Sequence, residues 1–185
     1  MDPVTGMRPY NPAFQNSEYC KFYNRLINDE RIKKALKENG YKGKFCVHTN
    51  NIANASDFCG NEVIEVSADI VDYQKEFREN ALLITDYSSV AYDFAYLKKP
   101  VIYAQPDKEE FFAEQIYDRG YWDYEQMGFG PVCCDYESTV NVIIEAVRSG
   151  CMLEKEYLNR IESFYFALDQ NNCERVYQAI REIGK

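Results

Sequence analysis

Two hydrophobic periods alternate along this chain, and that exchange constrains the fold more than any other feature of the sequence. Short apolar runs fall at Lys44 to His48, Val63 to Val66, Ala81 to Thr85, Pro100 to Ala104 and Pro131 to Cys134. Runs of this length suit strands, whereas the segments between most of them carry apolar residues at helical spacing. Strands alternating with helices imply β-α-β crossovers and a mostly parallel sheet. The expected fold class is therefore α/β, a Rossmann-like, mostly parallel sheet flanked by helices. Ala81 to Thr85 is continuous enough to be expected as a strand covered on both faces.

The spacing predicts helices over Ser17 to Asn39, Asp69 to Glu79, Ser88 or Ser89 to Leu97, and Lys108 to Ile116. Three more are predicted over Glu137 to Ser149, Glu154 to Leu168 and Cys173 to Ile183. Asn28-Asp29 is a point where the first helix could be recapped, and Gly40 is a stop signal. Residues 1–16, rich in Pro, Gly and Asn, read as an irregular lead-in, with a first strand and its loop cut short. Residues 17–185 read as one Rossmann-like nucleotide-binding domain with C-terminal helices, and a length of 185 residues favours a single domain.

A net charge of −9 argues against nucleic-acid binding, which needs Lys and Arg to displace counterions. The same balance argues against electrostatic docking of this segment on an anionic bilayer. No stretch is long or apolar enough to span a membrane, and the N-terminus lacks a signal pattern, so a cytoplasmic location is expected. Seven cysteines, odd in number and without a C-x-x-C pair, read as reduced structural thiols rather than a zinc or redox site. No cofactor is expected, and nothing in the pattern bears on a metal requirement.

In open parallel sheets the ligand sits beyond the carboxyl ends of the strands. That rule directs attention to His48, Ser67, Asp86 to Ser89, and Gln105 to Asp107. Leu83-Ile84-Thr85-Asp86-Tyr87-Ser88-Ser89-Val90 reads as a strand, a tight polar turn and a helix start. Free N–H groups in the first helical turn, with Ser88 or Ser89 as cap, would make an anion site; a plain serine cap is the alternative. A Gly-rich cradle and a Walker lysine are both absent.

Leu82 to Asp93, Ala95 to Tyr103, Asp107 to Phe111, Gly128 to Val132 and Asn172 to Val176 together resemble the CDP-glycerol:poly(glycerophosphate) glycerophosphotransferases of teichoic-acid synthesis. The resemblance implies a GT-B fold of two Rossmann-like domains, with this chain as the C-terminal, donor-binding half. It implies that Ser88 and Ser89 hold the donor pyrophosphate and that Asp93 contacts ribose or glycerol hydroxyls. Asp86 is expected either at the donor or bracing the turn through its N–H groups. His48, the only histidine, stands where the family has a His-Pro pair, with Thr49 in place of the proline; it is the candidate catalytic residue. Arg8, in Met7-Arg8, stands where the family has an aromatic-Arg pair, and is a candidate phosphate ligand. Asp107 to Glu110 reads as a solvated helix start. Tyr117, Tyr121, Trp122 and Tyr124 form an aromatic loop suited to interdomain packing, with base stacking as the other option.

The implied activity is transfer of glycerol phosphate, or a related polyol phosphate, from a CDP-linked donor to a teichoic-acid-like or surface polymer. The implied partners are CDP-glycerol or a related nucleotide donor, a polymer acceptor, and an N-terminal acceptor domain outside this chain. The isolated chain is expected to be incomplete and inactive, and the parent enzyme peripheral at the inner face of the plasma membrane. Two other readings are a GT-B transferase using a nucleotide-sugar for capsule or surface glycan, and a noncatalytic nucleotide-binding domain.

Overall fold

Local chemistry fixes most of the element boundaries. The computed structural model describes residues 8–69, 72–114 and 120–183. Helix α1 (Glu18–Ile27) starts where the Ser17 side chain accepts the Cys20 N–H. Helix α2 (Glu30–Glu38) starts at Asp29, whose carboxylate accepts the Arg31 N–H. The single helical pattern predicted over Ser17 to Asn39 is therefore two helices, broken at Asn28-Asp29. Gly40, at φ +72°, supplies the left-handed residue that ends α2.

Strands β1 (Gly43–Cys46) and β2 (Ile64–Ser67) pair in parallel, with Gly43 opposite Ile64. Between them Thr49–Asp57 is 3₁₀. Helix α3 (Tyr73–Glu79) begins at Asp72; residues 70 and 71, inside the predicted helix, lie outside the described residues. Lys99 Nζ donates to the carbonyl oxygens of Phe77, Arg78 and Asn80 at 2.7–2.9 Å, closing the end of α3.

Strands β3 (Leu83–Thr85), β4 (Val101–Ala104) and β5 (Val132–Cys133) form a second parallel group in the order β3-β4-β5. Helix α4 (Val90–Tyr96) joins β3 to β4. Helices α5 (Lys108–Glu114) and α6 (Tyr124–Met127) lie between β4 and β5. Ile116 and Tyr117, placed by the sequence in a helix and a loop, lie outside the described residues. Helices α7 (Tyr136–Arg148), α8 (Lys155–Phe164) and α9 (Asn172–Ile183) complete the chain.

The alternation of side chains along β4 defines two packed faces. Val101 and Tyr103 join one apolar core with Phe94, Phe129 and Ile161; Ile102 joins the other with Leu26, Ile32 and Val140. Helices α1, α2 and α7 thus cover one face, and α4 and α8 the other. The fold is mixed α/β with parallel strands between helical layers. It departs from the expectation in one respect: among the described residues the strands form two groups, β1-β2 and β3-β4-β5, rather than one sheet. Correspondingly β3 is not covered on both faces. Ala81 is exposed and Ile84 is 37% exposed, because among the described residues β3 has a partner on only one edge.

Burial of the cysteines also departs from the sequence reading. Cys20 and Cys133 are buried, but Cys46, Cys59, Cys134 and Cys173 are exposed; all seven are free thiols. Among the described residues no helix is long and apolar enough to cross a membrane.

Candidate functional site

The turn after β3 is built by Asp86. One carboxylate oxygen of Asp86 accepts the N–H of Tyr87 at 2.7 Å and that of Ser88 at 3.1 Å. Its backbone carbonyl accepts Gln105 Nε2 at 3.1 Å, which ties the turn to the residue that follows β4. Tyr87 is fixed on the other side. Its ring stacks on Phe111 with centroids 3.6 Å apart, and its hydroxyl donates to Asp107 at 2.9 Å. Asp107 is therefore a clamp between the β3 and β4 turns, while Glu110 alongside it stays exposed.

Neither serine caps α4 in the expected way. Ser89 sits at the cap position with φ −64° and ψ −13°, already helical, and its side chain makes no cap bond. A capping side chain reaches the N2 or N3 amide from an extended backbone, which Ser89 lacks. Ser88 Oγ lies 3.5 Å from Val90 N, at the limit of a hydrogen bond. The two hydroxyls are therefore not consumed by the fold. Ser88 lines a cavity of about 330 Å³, and Ser89 is exposed beside it. Asp93 is exposed in the first turn of α4.

His48 reaches the same cavity from the carboxyl end of β1. Its ring is exposed, and its Nδ1 accepts the Asn50 N–H at 3.1 Å. With Nδ1 occupied as an acceptor, the neutral ring carries its proton on Nε2, which is left to donate. The Asn50 amide thereby orients the ring. Tyr19 and Tyr23 of α1 also line the cavity. Burial pushes both phenols up, and the Asp86 and Asp107 carboxylates push them further, so both stay protonated.

The structure brings Asp86, Ser88 and His48 to one cavity; Arg8 and Asp93 do not line it. Arg8 lies on the exposed lead-in, which is pinned to the 3₁₀ segment after His48. Asn11 and Asn54 exchange hydrogen bonds at 3.1 and 2.9 Å, and the Tyr10 hydroxyl donates to Asp57 at 3.2 Å. Gln105 is a feature that its sequence position flagged but its residue type did not explain. It is fully buried, and its Oε1 has no hydrogen-bond partner among the described residues. Among the described residues no group of three or more His, Cys, Asp or Glu could hold a metal ion.

Two rings of the aromatic loop, Trp122 and Tyr124, pack within the domain. Trp122 packs within 5.0–5.5 Å of Tyr92, Phe129 and Phe164, and Tyr124 packs on Tyr103 at 5.1 Å. These rings complete the core beneath α4; Tyr121 alone of the described three is strongly exposed. Burial pushes the Tyr92 phenol up to about 12.

The comparison with protein families decides what kind of chain this is. A family model for CDP-Glycerol:Poly(glycerophosphate) glycerophosphotransferase matches residues 9–182. The chain belongs to this family. It is 41% identical over 182 residues to the minor teichoic acid biosynthesis protein GgaB of Bacillus subtilis (strain 168), covering 98% of this chain and 20% of GgaB. It is 36% identical over 95 residues to a teichoic acid poly(glycerol phosphate) polymerase of Bacillus spizizenii, covering 51% of this chain and 22% of that protein. Among solved structures, the wall teichoic acid polymerase TagF aligns with a TM-score of 0.45 and 16% identity, over 89% of this chain and 52% of that one. The aligned segments thus cover about a fifth of the length of each of the two curated relatives.

Part of the family resemblance is structural in this chain. A Cβ on Gly130 would lie 1.7 Å from the Val101 carbonyl oxygen, and one on Gly128 would lie 2.1 Å from that of Tyr124. Gly128-Phe129-Gly130 is required where the chain crosses the start of β4.

Proposed function

We propose that this chain forms the donor-binding part of a transferase that moves glycerol phosphate, or a related polyol phosphate, from a CDP-linked donor to a teichoic-acid-like polymer. The observation that carries the reading is the convergence of Ser88 and His48, from the carboxyl ends of two different strands, on one cavity. In a parallel α/β fold that is the ligand end of the molecule. Family membership supplies the substrate class.

In this reading the donor pyrophosphate lies against Ser88 and Ser89, whose hydroxyls are free to donate. His48 Nε2–H donates to a phosphate oxygen. Asp93 takes a ribose or polyol hydroxyl from the first turn of α4. Asp86 holds the turn and leaves the donor to its neighbours, since its carboxylate already accepts two N–H groups. Arg8 adds positive charge from the lead-in that packs against the segment following His48.

The acceptor hydroxyl would attack the phosphorus that bears the polyol. A new acceptor O–P bond forms, the bond from that phosphorus to the bridging oxygen breaks, and CMP leaves with its electron pair. The acceptor proton goes to a base outside this chain, on a domain that carries the acceptor site. The residues here would contribute placement and charge neutralisation. The parent enzyme would work at the inner face of the plasma membrane.

Calorimetric titration of the chain with CMP, CDP-glycerol, CDP-ribitol and a UDP-sugar tests the reading. Binding of the cytidine compounds is the expected result. Preference for the UDP-sugar would instead favour a nucleotide-sugar transferase, and failure of every nucleotide would remove the donor site.

A further inference from the structure

We infer that Gln105 and Tyr124 are positioning residues for the donor, an inference that rests on the reading of the β3 turn as the donor site. From beneath the turn they hold the carbonyl oxygens of Asp86 and Tyr87 inward, so that serine hydroxyls rather than backbone oxygens meet the pyrophosphate. Gln105 Nε2 donates to the Asp86 carbonyl oxygen at 3.1 Å, and the Tyr124 hydroxyl donates to that of Tyr87 at 3.3 Å. In a trans peptide the C=O and the N–H point in opposite directions. The two tethers therefore turn the N–H groups of Tyr87 and Ser88 to the other side, where one Asp86 carboxylate oxygen accepts both. Asp86 and Ser88 line the cavity, whereas Gln105 and Tyr124 do not. A reversed peptide at either place would aim a carbonyl oxygen outward, where it would repel a phosphate oxygen.

Gln105 is a poor residue for stability alone. Its backbone is fixed after β4, with its N–H donating to the Cys133 carbonyl oxygen at 2.8 Å, and its side chain is fully buried. The Asp86 carbonyl oxygen can only accept, so the Gln105 amide must present its nitrogen there. That leaves Oε1 without a hydrogen-bond partner among the described residues. A buried acceptor left unpaired is destabilising by as much as a neutral hydrogen bond returns, or more. An unbranched apolar side chain such as Met would remove that penalty. A buried amide of no net benefit to the fold is expected where the placement of its one partner matters to function. Tyr124 is matched to the same task. Burial pushes its phenol up and the Asp86 carboxylate pushes it further, so the hydroxyl stays a donor. Its ring packs on Tyr103 with centroids 5.1 Å apart, a contact that Phe would keep.

Gln105→Met and Tyr124→Phe each delete one tether while nearly conserving packed volume. In the unliganded chain, amide exchange followed by NMR is expected to quicken about three- to tenfold, at Tyr87 in Gln105→Met and at Ser88 in Tyr124→Phe. The Ile143 amide of α7 serves as the unchanged reference. Calorimetric titration of CDP-glycerol is expected to show affinity about three- to tenfold weaker in each variant. The melting temperature of Gln105→Met should hold or rise. Stability and affinity then part company, which a side chain serving only the fold would not produce.

Unchanged exchange at both amides would overturn the inference, and so would faster exchange with unaltered donor affinity. A lower melting temperature in Gln105→Met, with exchange quickened equally at Ile143, would also overturn it, since the amide would then serve the core. Failure of the wild-type chain to bind CDP-glycerol would remove the donor reading instead. The exchange rates need no ligand and would still decide whether the two side chains hold the turn.

Discussion

Asp86 and Ser88 show how two neighbouring polar residues in one turn can divide the work. Asp86 spends its carboxylate on the turn, and the serine hydroxyls are left over. This division yields a clean experiment. Replacing both Ser88 and Ser89 by Ala should abolish detectable binding of a CDP-linked donor. Since neither side chain makes a firm cap bond, stability should fall by less than about 1 kcal/mol. A drop in melting temperature matching a larger loss would make the serines structural. His48 is exposed and holds one local backbone amide, so His48→Ala should leave the melting temperature nearly unchanged. Donor affinity should fall about ten- to a hundredfold, the worth of a charged hydrogen bond. Unaltered affinity in the same titration would remove His48 from the site. That His48 and Ser88 would stand at strand ends was legible, because strand ends can be read from apolar runs, and both line one cavity. That Ser89 would not cap was not legible, because capping depends on a backbone angle that residue type does not determine. Gln105 was hidden for a different reason: its burial follows from strand order, which no local pattern records.

Element boundaries were legible where side chains punctuate the chain and illegible where tertiary context sets them. The Asn28-Asp29 break could be read from capping chemistry. Asp29 does more than cap α2: it also takes the Arg31 guanidinium at 2.8 Å and the Tyr136 hydroxyl of α7 at 2.8 Å. Asp29→Ala should therefore cost about 2–3 kcal/mol in chemical denaturation, with the cap and the tie to α7 lost together. The Arg31 hydrogen bond holds the Asp29 carboxyl well below the usual carboxylate range. A depressed native pKa means stability that is fully present above the unfolded value, about 3.9, and is lost as pH falls toward the native one. The stability gap between wild type and Asp29→Ala should accordingly begin to narrow as pH falls below about 3.9 and keep narrowing toward the native value, as acid titrations followed by circular dichroism would show. Gly130 gives the sharpest element-scale test. Its Cβ would overlap the β4 backbone, so Gly130→Ala should lower stability by about 3 kcal/mol, whereas an unchanged melting temperature would contradict the crossing described here. The short helix α6 inside the aromatic loop could not be foreseen. It has only four residues, and it is held by the Asp123 cap and by Arg160 Nη1 on the carbonyl oxygens of Glu125 and Gly128.

At the scale of the whole molecule, the alternating periods foretold an α/β fold with parallel strands, and the helices fell on both faces as expected. The division of the strands into two groups was not foretold by those periods. The apolar character of Ala81 to Thr85 encodes an interior strand, yet in this chain Ile84 faces an open slot. The mismatch is informative: the sequence of β3 is written for two neighbours, and only one is present among the described residues. In the proposed reading the donor end and the acceptor end of the transferase are separable tasks, and the residues gathered at the cavity would serve the donor. The chain should therefore bind cytidine nucleotides while releasing no CMP from CDP-glycerol when no acceptor domain is added. The most direct measurement is a calorimetric titration of CDP-glycerol into the wild-type chain and into the Ser88→Ala, Ser89→Ala double variant. Saturable binding by the wild type and none by the variant is the predicted result. Equal binding by both proteins, or binding of a UDP-sugar in preference to CDP-glycerol, would contradict the assignment of the β3 turn as the CDP-donor site.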